Sequence, residues 1–172
     1  RLKTETNDQN QREELDVESL AYHKLKPLQQ TLFWVIRYSG CRLAEAAGLE
    51  LSDIDLDQGI IHIAPKQDRP LKTRDSVRQV PIHSKLRPTL EQLIRDGDPR
   101  PWASLYSPKT KRWGGGVVWR PKIGCKPHAL RHHAASCMRS SGFAETVIAR
   151  VIGHRVPGTT AGYGTVSMDL IR

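Results

Sequence analysis

Arginine, lysine, histidine and tyrosine side chains are of the types that could move a phosphoryl group between oxygen atoms without a metal, and Arg42, Lys72, His128, Arg131, His154 and Tyr163 are candidates among them. In such a transfer the transition state gathers extra negative charge on the non-bridging phosphate oxygens. A planar guanidinium answers that charge with a fork of fixed donors. Arg42 and Arg131 would bracket one phosphate if the fold brought them together. Each has a plainer alternative, since a lone arginine is usually a solvated surface charge and Arg42 can also pair with Glu45 or Glu50 within a helix turn. His128 and Arg131 are three positions apart, which puts both on one helix face. A neutral His128 could take the proton of an attacking hydroxyl, or could simply cap its helix or fill the core. Lys72 could protonate a departing alkoxide, and Lys66 in the same segment is its rival. His154 follows Gly153, whose turn would free the imidazole to hydrogen-bond a phosphate oxygen. Tyr163 supplies a phenol that needs an electropositive pocket and a base before it can act as a nucleophile.

A metal site is the competing use of the histidines. His128 and His132 are four apart, a ligand spacing, and Cys125 and Cys137 flank them. The H-E-x-x-H arrangement would need Glu where Ala129 stands, and the cysteines lack C-x-x-C spacing.

The elements that must position these groups are legible in part. Leu28, Leu32, Val35 and Ile36 recur at helical spacing, and Gly40 is a stop signal. A short helix over Leu43–Ala47 ends at Gly48. The β-branched run Ile60-Ile61-His62-Ile63 reads as a strand, and Arg78-Gln79-Val80-Pro81-Ile82 as its return, with Pro81 confining it to an edge or a strand end. Lys66 and Lys72 lie on the loop between them. Ser84 is the expected cap of a helix striped by Leu86, Leu90, Leu93 and Ile94. Residues 98–127 read as irregular. Helices are expected from near His128 to Ser141, through Val147, Ile148, Val151 and Ile152, and for a last turn or two around Tyr163. The outline is mainly α with a small antiparallel β-sheet, an α+β class.

The chain has 172 residues, enough for one domain with its own core. Its net charge of +9 favours a polyanionic partner, either nucleic acid or an anionic membrane surface. No apolar run is long enough to span a bilayer, and no signal peptide is visible. Cys41, Cys125 and Cys137 form no disulfide framework, so a reducing cytoplasm is expected. Cys41 reads as a packing residue.

Taken in order, the parts carry more information than any one of them. Arg42 sits in Ser39-Gly40-Cys41-Arg42-Leu43-Ala44-Glu45. Lys72-Thr73 is followed by Ser76, Arg78 and Val80-Pro81-Ile82. His128-x-x-Arg131, Gly153-His154 and Tyr163 come next. From roughly Leu20 to Tyr163 this pattern resembles the tyrosine recombinases, the phage integrase family. The resemblance implies that chain 17–172 is the catalytic domain, with residues 1–16 as linker and the family's separate N-terminal core-binding domain outside this chain. It favours Lys72 over Lys66 and implies that Arg42, Lys72, His128, Arg131, His154 and Tyr163 form the catalytic set, with Glu45 organising Arg42.

In that family the tyrosine attacks the scissile phosphate, forms a 3′-phosphotyrosyl link and frees a 5′-hydroxyl. A partner strand then attacks in turn, with no cofactor, ATP or metal. The implied partners are double-stranded DNA carrying a recombination site, further protomers in a tetramer of the full-length parent, and accessory DNA-bending proteins, with no membrane. The implied setting is a bacterial cytoplasm, at the nucleoid, in the service of a phage or mobile element. A type IB topoisomerase-like relaxing activity, or a DNA-binding module that no longer cuts, are the alternatives. The stretches from Trp119 to His128 and beyond Tyr163 are both shorter than the family pattern, the latter normally docking on a neighbouring protomer.

Overall fold

The computed structural model describes residues 17, 20–73, 76–113 and 119–154. Tyr163 and the helical turn expected around it lie outside the described residues.

Helix α1, Pro27–Ser39, starts with a proline whose ring presets the helical φ and stops where Gly40 enters the left-handed region at φ 64°. Its apolar positions Leu32, Phe33, Val35 and Ile36 are all fully buried. Helix α2, Leu43–Ala47, begins three residues after Gly40, with the extended Arg42 as the capping residue before it. The Arg42 backbone N–H donates to the Glu45 carboxylate at 2.9 Å, so Glu45 serves the helix start and, as shown below, the site.

Strands β1 (Ile54–Asp55), β2 (Ile60–Ile63) and β3 (Arg78–Pro81) form an antiparallel sheet in that order. Ile61 pairs with Ile54 on one side and Val80 on the other, which places three apolar residues in one row across the sheet. Pro81 ends β3, an edge strand, where its missing N–H costs no ladder bond. Helix α3 runs Arg87–Asp96, later than the Ser84 cap would give. Capping at Ser84 would require Pro88 to donate to the Ser84 carbonyl, which proline cannot do. Instead the His83 carbonyl accepts the N–H groups of Leu86 and Arg87.

Residues 98–113 and 119–127 are more ordered than their composition suggests. They hold a second antiparallel pair, β4 (Tyr106–Ser107) with β5 (Arg112–Trp113), and a short helix α4, Arg120–Ile123. Two-residue strands are too short to show a hydrophobic period, so the sequence outline gave one sheet where the described residues form two. Buried indoles fasten this region. Trp102 donates to the Leu28 carbonyl at 3.2 Å, and Trp113 to the Asp68 carbonyl at 2.8 Å.

Helix α5, Pro127–Ser140, packs along α1, and α6, Glu145–Ile152, packs on α5 through Ala135, Ile148 and Ile152. Phe33 lies at the centre of the core, with ring centroids of Tyr22, Trp34 and Trp119 at 5.6, 5.1 and 5.9 Å. Among the described residues no helix is long and apolar enough to cross a membrane. Truncating Phe33 to alanine should cost about 3–5 kcal/mol of stability, read as a lower midpoint in chemical denaturation with an unchanged slope.

Candidate active site

The turn at Gly40 throws Arg42 back over the end of α1, toward the start of α5 and the end of α6. Three segments then converge on its guanidinium. Nη1 donates to Glu45 Oε1 at 2.6 Å and to Ser76 Oγ at 3.1 Å, and Nη2 donates to the Gly153 carbonyl at 3.0 Å. The local alternative of an Arg42–Glu45 pair is therefore real, and it is the anchor of the site rather than a substitute for it. Glu50 does not join it, because its carboxylate binds Lys66 at 2.5 Å.

Arg131 approaches from α5. Its Nη1 donates to the Gly40 carbonyl at 2.7 Å. Its side chain is sealed in, with the residue 2 % exposed, yet Nη2 has no hydrogen-bond partner. A buried guanidinium with an idle donor is costly unless a ligand completes it. Burial, and then repulsion from Arg42, lower the Arg131 pKa to about 10, which still leaves it a cation at neutral pH. His128 lies one turn before it, exposed at the start of the helix. Between them opens a cavity of about 450 Å³, lined by the cations Arg42, Arg120, Lys126 and Arg131 and by His128, with Leu43 and Trp119 as apolar walls.

Gly153 ends α6 at φ 70°, and His154 follows it. Burial lowers the His154 pKa, and the nearby charges of Arg131 and Arg42 lower it further. His128, exposed as a residue, is lowered by partial burial, then by His132, Arg131 and Arg42. Both imidazoles are thus biased toward the neutral form, able to accept a proton or a hydrogen bond.

Four of the six expected site residues, Arg42, His128, Arg131 and His154, share this electrostatic neighbourhood. Lys72 is exposed on the β2–β3 loop, whose end is fixed to Arg42 through Ser76. Lys66 faces away into two carboxylates, Glu50 and Asp53 at 2.9 Å. Tyr163 falls outside the described residues.

Arg78 was read from sequence only as part of a strand and of the lysine segment. Its side chain, 6 % exposed, is a hub instead. It donates to Glu45 Oε2 at 2.9 Å, the Val151 carbonyl at 2.7 Å and the Ser76 carbonyl at 2.8 Å. Burial would raise the Glu45 carboxyl pKa, but hydrogen bonds and charge from Arg78 and Arg42 outweigh it and hold the group below the usual carboxylate range. Cys41 beside it is pushed up by burial, an inert thiol as its packing role implies.

The alternative metal cluster does not assemble. Among the described residues no three His, Cys, Asp or Glu side chains group around a metal-sized point. Cys137 Sγ lies 3.3 Å from His133 Nε2, and His128 meets His132 edge-on at 4.4 Å between ring centroids.

With this geometry in hand, comparison with known proteins is decisive for kinship. The family model described as "Phage integrase family" matches residues 8–169. The chain belongs to the phage integrase family. It is 27 % identical over 169 residues to tyrosine recombinase XerC of Halalkalibacterium halodurans, covering 85 % of this chain and 54 % of that one. Against tyrosine recombinase XerD of Proteus mirabilis it is 28 % identical over 155 residues, covering 80 % and 47 %. The chain thus spans about half the length of the curated relatives it matches. Its fold is that of the XerA recombinase crystal structure, with TM-score 0.57 at 22 % identity over 74 % of this chain and 48 % of that one. The Tn1549 transposon integrase, solved with circular intermediate DNA, matches with TM-score 0.55 at 15 % identity over 73 % and 51 %.

Two outcomes follow for this integrase-family chain. A Cβ at Gly153 would stand 2.8 Å from Arg78 Nη1 on a left-handed backbone. Gly153→Ala should therefore lower stability by at least about 1 kcal/mol in thermal or chemical unfolding. Glu45 has a folded pKa below its unfolded value. Its stabilisation is complete above the unfolded value of about 4.3 and is lost as pH falls through the folded one. Glu45→Gln should flatten that acid limb of stability against pH.

Proposed function

We propose that this chain is the catalytic part of a tyrosine-type site-specific DNA recombinase, which cuts and rejoins DNA strands through a 3′-phosphotyrosyl intermediate. The observation that carries the reading is the idle Nη2 donor of buried Arg131, on the wall of a cationic cavity shared with Arg42. A non-bridging phosphate oxygen would complete that donor, and a pocket with several fixed cations is built for the charge that grows during transfer.

In this mechanism the Tyr163 oxygen attacks phosphorus while the bond from phosphorus to the 5′-oxygen breaks. His128, biased to the neutral form, takes the phenolic proton. Lys72 delivers a proton to the departing 5′-oxygen. Arg42 and Arg131 hold the non-bridging oxygens, and His154 donates to one of them. Bond energy stays in the phosphotyrosyl link, so the reverse attack by a 5′-hydroxyl needs no cofactor. The named activity of the XerC and XerD relatives and the DNA bound to the Tn1549 integrase support a double-stranded DNA substrate.

The full-length parent would add a core-binding domain ahead of the linker at residues 1–16 and would assemble as a tetramer on its site, with DNA-bending proteins as accessory partners. Integration or excision of a phage or mobile element is the role proposed for it.

A suicide substrate nicked beside the cleavage site tests this reading. The unaltered chain should form a covalent DNA adduct that survives denaturation and is absent in Tyr163→Phe. Arg131→Ala should slow adduct formation by about 10²–10³-fold while DNA affinity changes far less. Tight binding with no adduct from the unaltered chain would instead identify a DNA-binding module that does not cut.

A further inference from the structure

We infer that Ser76 is a positioning residue for the proton donor of the reaction: its buried hydroxyl fixes the loop bearing Lys72 to the phosphate-binding Arg42. This rests on the recombinase reading above and adds a residue that the expected catalytic set does not contain.

The geometry is specific. Ser76 is fully buried, although it lies on the connection from β2 to β3. Its hydroxyl oxygen accepts from Arg42 Nη1 at 3.1 Å and lies 3.1 Å from the hydroxyl of Thr73. The Arg42 contact uses one lone pair of Ser76 Oγ, which leaves both its hydrogen and a second lone pair for Thr73, so either hydroxyl can donate in that contact. The Ser76 N–H also donates to the Thr73 carbonyl at 3.1 Å. Thr73 adjoins Lys72. A chain of hydrogen bonds therefore runs from the guanidinium, through one serine, to the residue next to the lysine.

Arg78 locks the other side of Ser76 by donating to its carbonyl at 2.8 Å, and is itself held by Glu45. The lysine's long flexible stem would otherwise sample many positions. Anchoring its backbone to the residue that grips the phosphate keeps the ammonium within reach of the leaving oxygen, where proximity is worth most.

A positioning role for a general acid has a chemical signature that a purely structural role lacks. A 5′-thiolate leaves without a proton, because a thiol ionises near pKa 8.5 whereas an alcohol does not ionise in this range. Replacing the 5′-bridging oxygen of a suicide substrate by sulfur therefore removes the need for Lys72.

Ser76→Ala should slow single-turnover cleavage of the oxygen-linked substrate by about tenfold or more. On the sulfur-linked substrate it should run within about threefold of the unaltered chain. Lys72→Ala should show the same selective rescue, larger in size. Thr73→Val, which removes the hydroxyl that Ser76 contacts and leaves the Arg42, Glu45 and Arg78 contacts in place, provides a second variant with the same expected pattern. Equal losses on both substrates, or no loss on either, would overturn the role of Ser76. So would a Lys72→Ala variant that sulfur does not rescue. An unaltered chain that forms no Tyr163-dependent adduct would sink the recombinase reading itself, which separates that failure from failure of this inference.

Discussion

One carboxylate holds the site together. Glu45 is buried and divides its two oxygens between Arg42 and Arg78. Ion pairs of this kind seldom add net stability, because desolvation consumes most of the Coulombic gain. Their value lies in what they forbid. With Glu45 in place, Arg42 and Arg78 each have one low-energy geometry, and both are aimed by a group on the first turn of α2. Remove it and two guanidiniums would face each other, with Arg131 behind them and no anion between. Three cations around one anion leave positive charge uncompensated, and that surplus gives the cavity its appetite for an anion.

The same arginines also take over the end of α6. The last carbonyls of a helix lack intrahelical donors and carry the negative end of its dipole. Arg78 binds the Val151 carbonyl and Arg42 the Gly153 carbonyl. Gly153 makes this approach feasible, since any side chain there would strike the Arg78 fork. One network therefore sets the position of α2, of the loop before β3 and of the helix terminus from which His154 extends. Catalytic precision in a site built from distant segments needs such shared anchors, because each segment tied independently would add its own error.

Much of this was legible in the sequence, for identifiable reasons. The helix striped by Leu28, Leu32, Val35 and Ile36 and stopped at Gly40 announces itself through local chemistry. Arg42, His128, Arg131 and His154 were visible as types in an order. Their convergence was not, because it depends on long-range contacts between α1, α5 and α6 that no local pattern encodes. Arg78 escaped for a related reason. On a strand an arginine reads as a solvated edge charge, and its burial is decided by Glu45 thirty-three positions upstream. The two-residue strands β4 and β5 and the late start of α3 were missed because a hydrophobic period needs length and because Pro88 overrides the cap signal at Ser84.

The two lysines of the β2–β3 loop sit in different surroundings, Lys66 between carboxylates and Lys72 exposed. A proton donor must release its proton at the moment the alkoxide departs. Lys66 is poorly suited. Burial alone would lower its pKa, but the carboxylates of Glu50 and Asp53 more than reverse that and raise it, so its ammonium is held where it is. Its neighbour Arg69 is tied to Asp53 and to the Gly48 and Ala64 carbonyls, giving the loop a rigid base. Rigidity at Lys66 and Arg69 and exposure at Lys72 divide one loop into a foundation and a working end. The buried Ser76 hydroxyl then restores, at the far side of that working end, the positional control that exposure removes.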